Sequence, residues 1–308
     1  MSLELSGYVD LPAHVKPGGF DHAAVHGRLA RLFVAHTAND TLDVIDCATD
    51  QYLYSIPGLV GVAGALVAEA DNLVFTSNRG ENTVGILSPD SREVTAKIAV
   101  GIRPNGLAYD PGRGQLLVAH VGDPAVPDSF TIALVDVKQK KVAAILPVPG
   151  RTRWTVFDPQ AALFYVNIAD PSVIIVFDGG DPGRIVKQYA IPAQGPHGLD
   201  IDLESRRLFC ACDAGKLVSL DARSGEILTV SDLSGAPDVI FFNPALQHLY
   251  VASGDPGVID VFDTRTMEQI GVVDTEKGAH TIAFDAGRNK VYAFLPQTGR
   301  AAVYIDRG

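Results

Sequence analysis

The stretch GPHGLDIDLESRRLFCAC, residues 195–212, holds the plan of the whole chain. A polar start (Pro196–His197–Gly198) leads into an alternating run, Leu199 to Asp202. A polar turn, Leu203 to Arg206, follows, and then a second apolar run from Leu208 to Cys212. Period-two alternation over four to eight residues, broken by turn formers, predicts two half-buried strands in a hairpin. The same plan recurs outward in both directions: RPNGLAYDPGRGQLLVAH (103–120), APDVIFFNPALQHLYVAS (236–253) and GAHTIAFDAGRNKVYAFL (278–295). FDHAAVHGRLARLFVAH (20–36), TRWTVFDPQAALFYVN (152–167) and AGALVAEADNLVFTSN (63–78) complete the set.

Aligned, these units place Asp21, Gly64, Asn105, Arg153, His197, Asp238 and His280 at one equivalent position, 43, 41, 48, 44, 41 and 42 residues apart. The long interval contains an insertion, GDPAVPDSF (122–130), which two prolines stiffen. A third run follows each pair, as in TLDVIDCAT (41–49) or VIDVFDTR (258–265). In six units a fourth follows, for example KVAAILPV (141–148). A repeat of about 40 residues built from four short strands predicts propeller blades. The expected fold is therefore all-β: one domain over 1–308, a seven-bladed β-propeller of four-stranded blades beginning near 20, 63, 104, 152, 196, 237 and 279. The seventh unit ends at its third run, and the segment 3–12, LELSGYVDLP, supplies the missing strand and closes the ring.

The units resemble the YVTN-type propeller repeat. The motifs that carry the likeness are RLFVAH…LDVID (31–46), LLVAH…ALVD (116–136), LFYVN…IIVFD (163–178) and LYVAS…IDVFD (249–263), and it extends over residues 18–308. It implies the fold, and for function a range from binding scaffolds to lactonase-like enzymes and lyases.

Composition excludes several classes. A net charge of −11 disfavours nucleic acid and anionic membrane surfaces as partners. The longest apolar run, LVGVAGALVA (59–68), is far too short to cross a bilayer, and the N-terminus shows no secretion signal. Three cysteines, two of them in a C-x-C pair, fit a reducing compartment, so a cytoplasmic location is expected and a monomer is plausible. No phosphate loop and no G-x-S-x-G elbow occur.

Propeller topology turns sequence position into location. Starts of first strands and ends of second strands meet around one mouth of the channel. Six of the eight histidines belong there: His14, His22, His36, His120, His197 and His280. Blades five, six, seven and one are consecutive, so His197, Asp238, His280 and His22 (or Asp21) form an arc. Imidazole with carboxylate is a ligand set for zinc, manganese or iron, so a divalent metal is the expected cofactor. The competing reading makes the same residues turn caps and channel lining. With a metal in place, His120 or His36 would act as general acid or base and Arg153 would steady an anion. Asn105, Arg153 and Trp154 would contact a small-molecule substrate, the indole by stacking. The expected chemistry is hydrolysis of a lactone, ester or phosphoester, or a lyase reaction. A non-catalytic propeller that binds a ligand or protein is the alternative.

Overall fold

Alternating β-branched and aromatic runs separated by left-handed turn residues can bury one face only by pairing, and each unit here forms a four-stranded antiparallel sheet. The computed structural model describes residues 3–180 and 184–308. Blade 1 comprises Ala23–His26, Arg31–His36, Thr41–Asp46 and Gln51–Ile56, and blade 2 Val62–Ala68, Leu73–Asn78, Thr83–Leu87 and Ala96–Ala99. Blade 3 comprises Pro104–Asp110, Gln115–His120, Thr131–Asp136 and Lys141–Pro147, and blade 4 Thr152–Asp158, Leu163–Ile168, Val173–Asp178 and Ile185–Ala190. Blade 5 runs Pro196–Asp202, Arg207–Cys212, Lys216–Asp221 and Ile227–Asp232; blade 6 runs Ala236–Asn243, His248–Asp255, Val258–Asp263 and Glu268–Asp274. Blade 7 takes Ile282–Asp285, Lys290–Leu295 and Arg300–Asp306 from the end of the chain. Its fourth strand is Leu3–Asp10, which pairs antiparallel with Arg300–Asp306. The fold is thus a seven-bladed β-propeller closed by its N-terminal strand.

The core lies between blades. One apolar cluster joins blades 1 and 2 (Phe33, Val44, Val62, Val74), another blades 4 and 5 (Tyr165, Val176, Leu199, Leu208), and five more fill the remaining gaps. Every blade therefore depends on both neighbours. The aspartates that recur at third-strand ends are turn makers. Asp46, Asp136, Asp178, Asp221, Asp263 and Asp306 each accept a backbone N–H two or three residues on. Among the described residues no helix is long and apolar enough to cross a membrane.

One irregularity positions most of the candidate site residues. The first strand of blades 2 to 6 carries a register shift near its start, between Val62 and Gly64, Pro104 and Leu107, Thr152 and Thr155, Pro196 and Gly198, and Pro237 and Ile240. A bulge re-aims the residue it frees. Its carbonyl bonds to the adjacent blade: Ala63 O accepts from His22 N at 2.9 Å, Asn105 O from Ser77 Oγ at 2.8 Å, and His197 O from Asn167 Nδ2 at 2.9 Å. Glycine follows in blades 2, 3 and 5 because a Cβ on Gly64, Gly106 or Gly198 would collide with the carbonyl of Asn105, Arg153 or Asp238 in the next blade. The ladder also corrects the alignment in blade 2. Gly64 pairs with Ser77 just as Gly198 pairs with Ala211, so Ala63 is the residue equivalent to His197.

Candidate functional site

Bulged positions from blades 4 to 6, and His280 just ahead of the first strand of blade 7, converge at one mouth of the channel. Arg153 Nη1 lies 3.0 Å from His197 Nε2, and His197 Nε2 lies 3.1 Å from Asp238 Oδ1. On the far side of the same carboxylate, Asp238 Oδ2 is 3.9 Å from His280 Nε2. The other nitrogen of each histidine is committed. His197 Nδ1 is 2.7 Å from Asp213 Oδ1, and His280 Nδ1 donates to Gly278 O at 2.8 Å. An oxygen acceptor at Nδ1 fixes the tautomer and leaves Nε2 as the basic nitrogen. Both basic nitrogens thus face Asp238. The carboxylate of Asp213 also accepts from Arg153 Nη2, at 3.0 Å.

The electrostatics follow from that crowding. Burial would lower the His197 pKa, but Asp238 and the hydrogen bond to Asp213 outweigh it and raise it to about 9. Burial would raise the Asp238 carboxyl; the imidazoles of His197, His280 and His22 reverse the sign and lower it. For Asp213, too, His197 and Arg153 overcome burial and lower the pKa. The cluster is held together by cationic character next to Asp238.

His22 lies one step deeper than the arc. Its ring packs on Trp154 across the channel, with centroids 4.0 Å apart at 44°, and its Nε2 is 3.4 Å from Asp21 Oδ1. Burial lowers its pKa against the pull of Asp21 and Asp238, so it is neutral near pH 7. Together His22 and Trp154 form a floor beneath the mouth. Below them an apolar cavity of about 470 Å³ runs toward the opposite face, past Leu107, Tyr109, Phe157 and Phe241. Trp154 therefore packs inside the molecule, against the blade clusters, as well as on His22. Beside Asp213 the mouth opens into a polar groove of about 570 Å³ lined by Asp170, Ser172, Gln194 and Gly195.

Two expected residues lie elsewhere. His120 is fully buried; its Nε2 accepts from Gly101 N at 3.1 Å and its Nδ1 meets Thr131 Oγ1 at 2.8 Å. Burial pushes its pKa down to about 4. His36 is equally buried, with Nδ1 2.7 Å from Asp43 Oδ2 and Nε2 2.7 Å from His14 Nδ1, while His14 Nε2 meets Pro296 O at 2.9 Å. Neither ring has a free nitrogen, and neither reaches the channel. The expectation that they serve as general acid or base is corrected: they pin loops to blades 1 and 3. The physical reason is that second-strand ends sit within the ladder, where side chains pack between blades, whereas bulged first-strand residues turn into the mouth. Asn105 does stand on the ring, nearly buried, with its Oδ1 unpartnered. Cys212 is buried beside Cys210, with sulfurs 3.9 Å apart, away from water. The insertion 122–130 is stiff in a way that prolines alone do not explain: Ser129 Oγ accepts from Asp123 N at 2.8 Å and donates to Asp123 O at 2.7 Å.

Sequence reasoning missed Asp213 and Arg79. Both occupy the residue just beyond the second strand, where their N–H groups bond to Gly195 O and Gly61 O. Asp213 orients His197, and Arg79 Nη1 pairs with Asp21 Oδ2 at 3.2 Å. A second ring of positions, taken one residue past each second strand, would have found them. Among the described residues no three His, Cys, Asp or Glu side chains are already spaced around one metal position.

The architecture recurs widely: 1792 solved chains match it, which is why fold alone selects no chemistry here. One of them is the hydrazine synthase of Kuenenia stuttgartiensis, with a TM-score of 0.81 over 94% of this chain and 97% of that chain. At 14% identity that likeness is one of fold. No family model matches the chain, and no curated protein matches it in sequence.

Proposed function

We propose that this YVTN-like propeller is a metal-dependent enzyme acting on a small molecule at the channel mouth, as a hydrolase of a lactone, ester or phosphoester or as a lyase. The observation that carries the reading is the pair of imidazoles whose Nδ1 atoms are tied to Asp213 and Gly278 and whose Nε2 atoms face the two oxygens of Asp238. Two nitrogen lone pairs opposite a carboxylate call for a cation. A proton answers that need on His197; His197, Asp238 and His280 would answer it equally by holding a divalent ion after a small side-chain adjustment. Such an ion supplies a water of lowered pKa and polarises a substrate oxygen.

Around it the chain's own groups take definite parts. Asp213 keeps His197 in the ligating tautomer. Arg153 holds an anionic group of the substrate. His22, counted with the ligands in the linear reading, is buried at the floor beside Asp21 and Trp154 and completes the arc on the blade 1 side.

A non-catalytic ligand-binding propeller is the second reading. It is favoured by the contact from Arg153 Nη1 to His197 Nε2, which already occupies the basic nitrogen. Metal analysis of protein purified without a polyhistidine tag separates the two. Close to one zinc, manganese or iron per chain is expected, lost to a chelator with the β-rich circular dichroism intact. Protein that stays metal-free in the presence of all three ions sinks the enzyme reading.

A further inference from the structure

Opposite the imidazole–carboxylate arc, blades 2 to 4 bring four arginines to the same mouth. Arg79 follows the second strand of blade 2. Arg103 and Arg151 occupy equivalent places ahead of the bulges in blades 3 and 4, held by carbonyls that accept from Val121 N and Ala169 N at 2.9 Å each. Arg153 stands on the bulge itself. Two of the four guanidinium groups meet acids from the arc, Arg79 with Asp21 and Arg153 with Asp213. Neither Arg103 nor Arg151 has an ion-pair partner among the described residues, and both are exposed. The Nε atoms of Arg79 and Arg153 are buried with no acceptor.

The backbone at Arg103 bears on how the crescent is tested. The equivalent residues of blades 2 and 5 are Gly61 and Gly195, with φ of 62° and 69°, and Arg103 adopts the same left-handed conformation with φ of 55°. A non-glycine residue there costs about 1 kcal/mol or more. In a chain of net charge −11, four arginines gathered at one mouth are a local concentration of positive charge.

We infer that this crescent is a binding site for a small polyanion, a molecule with at least two carboxylate or phosphate groups, gripped by Arg79, Arg103, Arg151 and Arg153. Planar guanidinium forks match such oxygens in pairs. The carboxylates of Asp21 and Asp213, paired with Arg79 and Arg153, and that of Asp238 beyond them bound the crescent, which fits a small molecule rather than a nucleic-acid strand. The charges support it: partial burial and then Arg153, Arg79 and Arg103 lower the Arg151 pKa, a repulsion that a bound anion relieves. The site stands whether or not the arc holds a metal.

The test is isothermal titration of chelator-treated protein with pyrophosphate in one arm and citrate in the other, so that failure of the metal reading cannot imitate failure here. Saturable binding of at least one is expected, weakened about tenfold or more by Arg151→Ala and by Arg103→Gly, which suits the left-handed backbone. Tighter pyrophosphate assigns a phosphate-bearing ligand, tighter citrate a polycarboxylate. Arg265→Ala, on the opposite rim and paired with Asp263, should bind as the parent does. No saturable binding of either anion, binding that survives both crescent substitutions, or an equal loss in Arg265→Ala overturns the proposal.

Discussion

Two sets of histidines share one end of this propeller and have opposite fates. His197 stands on a first-strand bulge and His280 just ahead of a first strand, and both present a nitrogen to Asp238. His36 and His120 end second strands, 15 residues beyond the equivalent positions Asp21 and Asn105, and both their nitrogens are consumed by neighbours in the blades and the loops packed on them. The difference is a backbone one. A bulge at His197 and a place ahead of the strand at His280 free these residues from the ladder and turn them into the mouth, whereas a laddered residue points between sheets into the packed core. Chemical availability in this fold is set by strand irregularity, not by residue type.

The contrast can be broken most forcefully at the arc. Replacing His197 and His280 together by alanine should cut metal affinity by more than about a hundredfold, about 3 kcal/mol, while leaving thermal melting nearly unchanged. The pair His36→Ala and His120→Ala should do the reverse. An arc variant that keeps its metal would mean that the ligands are elsewhere.

His120 sharpens the other side of the comparison. His120→Ala leaves Gly101 N and Thr131 Oγ1 without their partner and opens a cavity, so urea unfolding should show a loss of about 3 kcal/mol with metal content intact.

A smaller effect is expected from pH. The folded pKa of His120 is about 4 against an ordinary value near 6.5, so the unfolded chain takes up its proton first as pH falls. Stability is full above the unfolded pKa and is lost as pH drops toward 4. Between pH 7 and pH 5 this amounts to about 2 kcal/mol. His120→Gln should flatten that slope in urea midpoints taken across the range; an unchanged slope would show that His120 is not the group responsible.

Much of the fold was written in spacing. Seven alternating units, the short third-strand runs ending in aspartate, and the unpaired first segment together required a closed ring, because period-two strands with apolar faces have no other way to bury both edges and both sides. The arc was legible to the same extent: ring closure had to bring His197, Asp238 and His280 near one another. What the repeat pattern hid was which residues leave the ladder. Blade 2 slipped by one residue, from Gly64 to Ala63, because a bulge adds a residue without altering the apolar rhythm. Asp213 and Arg79 went unnoticed because their positions are variable loop starts in a linear reading.

The sequence by itself determined the blade count, the closure and the end of the molecule where polar residues gather, since these follow from local periodicity repeated along the chain. Only the tertiary structure decided that Asp213 ties down His197, that His22 and Trp154 floor the mouth, and that four arginines form its other half. Those are contacts between residues tens of positions apart, fixed by how neighbouring blades meet, and no local pattern encodes the angle at which they do so.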